Sequence, residues 1–150
     1  MNNASRWIRI PSPSHGPSRS SRSAPDAHSN DELCEAFRAV KREKKAQLCA
    51  EIEKREGVTL SPDMMFDVQI KRLHEYKRQL LNVLHILAVY RYLRKHPEAP
   101  YPPRTFIFAA KASTGYDLAK QIISLIVAVS DLLNSDPVTH DRLKVVFIED

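Results

Sequence analysis

The chain has 150 residues, enough for one ordinary domain, and is 43% hydrophobic and 27% charged, as a soluble globular protein is. Its net charge is +5. Residues 1–30 carry four arginines against one aspartate, so the remainder is close to neutral, which argues against a dedicated nucleic-acid binder. Cys34 and Cys49 have neither metal-site spacing nor the pattern of a disulfide framework, and a reducing, cytoplasmic setting is the simplest expectation. No apolar run reads as long enough to span a membrane, and the N-terminus has no apolar stretch of the secretory kind. Only three glycines occur, which excludes a GxGxxG or Walker phosphate loop.

Residues 1–30 hold Pro11, Pro13, Pro17 and Pro25 among many serines. Such a segment buries little and is expected to be a disordered tail, with the folded domain over 31–150. The Arg- and Ser-rich start also has the composition of a transit peptide. Asn30 or Asp31 is placed to cap a helix reaching about Glu56, with Leu33, Phe37, Val40, Leu48 and Ile52 as its apolar side. Lys41 to Lys45 reads as its solvated face, and Gly57 as its stop.

Val58 to Leu60 is a connector, and Pro62 and Asp63 turn the chain into a strand over Met64–Ile70. Phe66, Val68 and Ile70 alternate there, and Leu73, Tyr76, Leu80, Leu84 and Leu87 then repeat at helical spacing. The spacing predicts a helix ending near His96, with Tyr76 on the packed stripe and His85 as a core histidine. Pro97, Pro100, Pro102 and Pro103 form a stiff loop before a buried strand over Thr105–Ala110. A helix from Tyr116 to Leu133 follows, closed by Asn134 and Pro137, and then a strand over Leu143–Ile148. Strand, helix, strand, helix, strand is the order of a parallel β-α-β-α-β unit, a Rossmann-like α/β fold, with a long helix before it.

Ligands of such sheets collect at the carboxyl ends of the strands. Lys71 and Arg72, Lys111, and Glu149 and Asp150 all fall at those ends. Lys71, Arg72, Lys77 and Arg78 also crowd a strand-to-helix junction, where unpaired N–H groups and the dipole disfavour cations. An anion, phosphate above all, would complete such a place. On spacing alone, a solvated basic face is the readier reading of the same four residues. Ser113, Thr114 and Gly115 read as a helix cap, while Asp136, His140 and Asp141 read as loop residues and not metal ligands.

The segment FDVQIKRLHEYKRQLLN, Phe66 to Asn82, resembles the signature of the glycogen (α-glucan) phosphorylases. The resemblance runs from about Phe37 to Asp150 and includes Pro103–Lys120 and Asn134–Asp150. It implies a piece of the C-terminal Rossmann-like domain of a glycosyltransferase-B type enzyme. That enzyme moves glucosyl units from glucan non-reducing ends to inorganic phosphate, giving glucose 1-phosphate, with pyridoxal 5'-phosphate as cofactor.

The resemblance implies that Arg72 and Lys77 are catalytic and hold the substrate phosphate. It places Lys71 and Lys77 beside the cofactor's phosphate. It further implies an α-1,4-glucan and phosphate as partners, a homodimer for the whole enzyme, no nucleic acid and no membrane. The lysine that bears the cofactor is expected outside this chain, and the isolated 150 residues are expected to be inactive. Ser113-Thr114-Gly115-Tyr116 and Ala109-Ala110 depart from the family's usual Ala-Pro-Gly-Tyr and glycines, so an aromatic inhibitor pocket is not carried over. The alternatives are a non-catalytic phosphate- or nucleotide-binding module or ligand-free remnant, and a nucleic-acid binder using the basic tail with Lys41–Lys45.

Overall fold

The computed structural model describes residues 27–149. The disordered tail expected over residues 1–30 lies almost wholly outside the described residues. The chain divides into two units, Met1–Glu35 and Ala36–Asp150. The described part of the first is the beginning of helix α1, which runs Ala27–Glu56, a few residues ahead of the expected cap. Gly57, at φ 68°, ends α1, and its N–H donates to the Glu53 carbonyl at 3.0 Å. An L-residue with a side chain is disfavoured at that φ, so glycine is the suited stop.

The second unit is built on three parallel strands, β1 (Met65–Ile70), β2 (Arg104–Ala109) and β3 (Leu143–Ile148), in that spatial order. Helix α2 (Gln79–Lys95) connects β1 to β2, and α3 (Asp117–Ser135) connects β2 to β3. Two right-handed crossovers in a sheet of sequential order place both helices on one face. Their apolar sides close on Phe106, Phe108, Leu143 and Val145 from that face. On the other face Ile107 and Val146 pack with Cys49 and Ile52 of α1 and with Leu60. The result is the expected α/β unit, with strand limits within a residue of those read from the pattern.

Several expectations fail in instructive ways. Of the apolar side assigned to α1, Leu33, Phe37, Val40 and Leu48 are exposed and only Ile52 is buried, joined by Cys49. The buried face of α2 is Gln79, Val83, Ile86, Tyr90 and Leu93, while Leu80 and Leu84 are exposed. Tyr76 does not pack, being 72% exposed, and His85 is exposed with only an edge contact to Phe106. The cause is local. A single 3₁₀ turn, Glu75–Lys77, and a left-handed Arg78 (φ 60°, ψ 25°) separate Leu73 from α2, so the helix starts a new register. By length and composition α3 is apolar enough to cross a membrane, contrary to the sequence reading. In this fold its Ala119, Ile122, Ile126, Val129 and Leu133 cover the sheet.

Candidate anion site at the carboxyl end of the sheet

The chain leaves β1 at Ile70 and crosses the end of the sheet before α2 begins. Two backbone bonds extend the strand pairing past its end: Lys71 N–H to the Ala109 carbonyl at 3.1 Å, and Leu73 N–H to the Lys111 carbonyl at 3.2 Å. Leu73 turns inward and is buried. Lys71, Arg72 and His74, on either side of it, are exposed. Arg72 and His74 point away from the buried Leu73 as strand geometry requires, and Lys71 is exposed beside them where the sheet ends.

Two clefts result, side by side, with Arg72 and Lys111 in the walls of both. The first, about 480 Å³, is lined by Arg72, Lys77 and Lys111 together with His74, Ser113, Thr114 and Tyr116, and no carboxylate faces it. The second, about 490 Å³, is lined by Lys71, Arg72, Lys111 and Arg55 with Ile70, Ala109, Ala110 and Ile148, and Glu149 also stands in its wall. Arg55 donates to the Glu149 carbonyl oxygen at 2.6 Å, which joins the end of α1 to the end of β3. Lys71, Arg72 and Lys77 are thus brought to one end of the sheet. Arg78 lines neither cleft. A third cavity, lined by Thr59, Ser61, His140 and Lys144 among others, lies at the opposite, amino ends of the strands.

Lys77 Nζ donates to the Arg72 carbonyl at 2.8 Å. An ammonium has three donors, so two remain for an anion. Glu75, the nearest acid in sequence, does not line this cleft, and its Oε1 accepts from the Tyr116 hydroxyl at 2.7 Å. That bond raises the Tyr116 pKa above its ordinary value, because the donated proton is held by a carboxylate. His74 lies between two rings, 4.1 Å from Tyr76 and 5.5 Å from Tyr116, centroid to centroid. The Ser113–Gly115 turn is not a side-chain cap. Tyr116 occupies the cap position and makes no such bond, which leaves the Ser113 and Thr114 side chains in the wall of the first cleft.

The residue that sequence reasoning missed is Gln79. It is 1% exposed and stands where the α2 stripe calls for an apolar side chain. Its Oε1 accepts from the His74 N–H at 3.2 Å, and its Nε2 donates to the Lys71 carbonyl at 3.1 Å and the Arg72 carbonyl at 3.4 Å. The one available signal was a glutamine in phase with Val83, Ile86, Tyr90 and Leu93.

The model of the carbohydrate phosphorylase family matches residues 22–150. This chain belongs to the carbohydrate phosphorylase family. It is 48% identical over 110 residues to the brain form of glycogen phosphorylase from Ovis aries and, over the same length, to the muscle form from Bos taurus. It is 50% identical over 111 residues to a glycogen phosphorylase from Synechocystis sp.. These matches cover 73–74% of the chain and 13% of each relative, so the phosphorylase chain described here spans about an eighth of those proteins. The resemblance seen in the signature segment is thus upheld by relatives both animal and bacterial.

Proposed function

We propose that the carboxyl-end clefts are the phosphate-holding part of an α-glucan phosphorylase site, which transfers glucosyl units from α-1,4-glucan to inorganic phosphate. The observation that carries this reading is the first cleft: three cations, three hydroxyl-bearing side chains and no carboxylate in its wall. Arg72 offers a planar fork and Lys77 a compact charge, and the two together suit a tetrahedral dianion. Lys71 and Lys111 extend the positive surface into the second cleft, where a second phosphate would be screened from the first.

The donor set fits the phosphate of pyridoxal 5'-phosphate, with Lys71 and Lys77 as the residues that would hold it. When bound, that group supplies a phosphate able to give and take a proton beside the substrate phosphate. The chain's own contribution is positional and electrostatic: it brings anions together and stabilises charge that grows in the transition state. Residues 1–150 by themselves are expected to hold phosphate without forming glucose 1-phosphate. The whole enzyme is expected to be a cytoplasmic homodimer, a setting with which free thiols at Cys34 and Cys49 agree.

The test is a titration of the ¹⁵N-labelled chain with inorganic phosphate, followed by amide chemical shifts. Shifts confined to Lys71–Lys77 and Lys111–Tyr116 are expected. Shifts centred instead on Thr59, Ser61 and His140, at the other end of the sheet, would reject the assignment.

A further inference from the structure

The segment between β1 and the 3₁₀ turn has no regular secondary structure of its own, yet it carries Lys71 and Arg72. Its path is set by two strand-like bonds on one side and by Gln79 on the other. Gln79 reaches three of the four residues from Lys71 to His74 through their backbones. An amide has one carbonyl and two N–H donors, and the contacts of Gln79 are to one N–H and two carbonyls. Burying an amide costs free energy unless it is paired, and here each half is paired. An apolar residue at this position would continue the α2 stripe without that requirement. The polar choice is thus specific to the loop.

The Arg72 carbonyl is the common point. It accepts from Gln79 Nε2 and from Lys77 Nζ. Whatever orients that carbonyl also sets where the Lys77 ammonium sits and the direction in which the Arg72 side chain departs. We propose that Gln79 is a positioning residue of the anion site: it fixes the Lys71–His74 backbone and so places Arg72 and Lys77, without touching the anion. This inference rests on the phosphate reading above.

The test compares wild type, Gln79→Met, Gln79→Glu, Ser130→Ala and Arg72→Ala. Three readouts are taken: affinity for inorganic phosphate by calorimetry, thermal stability, and hydrogen exchange of the His74 amide. Methionine keeps the length and removes the pairing. Glutamate keeps the acceptor for His74 but opposes two carbonyls with a carboxylate, and it serves should the methionine variant fail to fold. Ser130 of α3, whose hydroxyl donates to the Val145 carbonyl of β3 at 2.7 Å, gives a comparable buried loss away from the site.

The expected result is phosphate affinity lowered about tenfold in either Gln79 variant, with faster His74 exchange in Gln79→Met, because charged groups displaced by even a fraction of an ångström lose their alignment. Ser130→Ala is expected to lose stability and keep its affinity. Affinity within twofold of wild type in a folded Gln79 variant overturns the inference and leaves the phosphate reading standing. Equal weakening in Ser130→Ala and the Gln79 variants also overturns it, since general destabilisation would then suffice. Wild-type binding no tighter than that of Arg72→Ala removes the phosphate reading, and the inference with it.

Discussion

Arg72→Ala tests the anion site most directly. Arg72 is exposed and stands in the wall of both clefts, so its loss weakens each. Two unit charges 4 Å apart attract by about 1 kcal/mol in water and about 4 kcal/mol at a protein surface of intermediate dielectric. The clefts are open, which favours the lower part of that range. We expect a loss of about 1–2 kcal/mol, or a phosphate Kd raised roughly 5–30-fold. Lys77 and Lys111 remain in the first cleft, so binding should be weakened and not abolished. Arg72→Lys keeps the charge and loses the fork, and should fall between wild type and alanine. Raising ionic strength from 0.1 to 1 M shortens the screening length from about 10 to 3 Å, so the gap between wild type and alanine should narrow. Isothermal calorimetry with phosphate at both salts, alongside thermal melts, reads all of this. A Kd within twofold of wild type, or a gap that salt leaves untouched, would refute the reasoning.

Two further outcomes follow from the packing and from one carboxylate. Leu133 of α3 is fully buried against the sheet, and Leu133→Ala should cost about 2–5 kcal/mol in urea denaturation, while the same change at its exposed neighbour, Leu132→Ala, should cost under about 0.5 kcal/mol. Asp136 accepts from the Val138 N–H at 3.0 Å, and chiefly that bond holds its carboxyl below the ordinary value, with Arg94 3.5 Å away adding to it. A depressed folded-state pKa means that the stabilisation is present above the unfolded carboxylate's pKa and is lost as pH falls through the folded value. The stability difference between wild type and Asp136→Asn should therefore be largest near neutral pH and shrink on acidification. An unchanged difference down to the acid limb would show that the charge contributes nothing.

How much of this could be read beforehand depended on where each residue finds its partner. The buried strands β2 and β3 were legible because TFIFAA and LKVVFI are apolar on both faces, as parallel strands covered by helices on both sides are. The cation cluster was legible because charge at a strand-to-helix junction is a local oddity. The face of α2 was not. The pattern Leu73, Tyr76, Leu80, Leu84 and Leu87 is periodic across a break that periodicity cannot see, namely the left-handed Arg78. Asn134 was read only as a helix end. It does lie in the last turn of α3, and its amide also pairs with both the N–H (3.1 Å) and the carbonyl (2.7 Å) of Val145, on the edge of β3 that has no strand neighbour among the described residues. Gln79 escaped for the same reason. Its partners are backbone groups, which have no signature in sequence, and they come within reach only once the loop is folded.

Arg78 shows how the site's geometry is maintained. It is the only non-glycine residue among those described with a positive φ, and it lies between Lys77, which lines the first cleft, and Gln79, which holds the loop. A left-handed conformation costs an L-residue about 1–2 kcal/mol, and glycine escapes that cost while losing about 0.5–1 kcal/mol more in chain entropy. Arg78→Gly should therefore leave stability unchanged or raise it by up to about 1 kcal/mol. Because Arg78 lines neither cleft, its phosphate affinity should stay within twofold of wild type. The measurement is a urea denaturation paired with the phosphate titration. A stability loss beyond about 0.5 kcal/mol would show that the arginine side chain makes contacts worth more than the strain it bears. An affinity loss like that of Arg72→Ala would instead place a fourth cation in the anion site. If neither occurs, the positive φ serves to turn the chain so that Lys77 faces the cleft and Gln79 faces the core. The strain then belongs to the backbone path and not to the arginine.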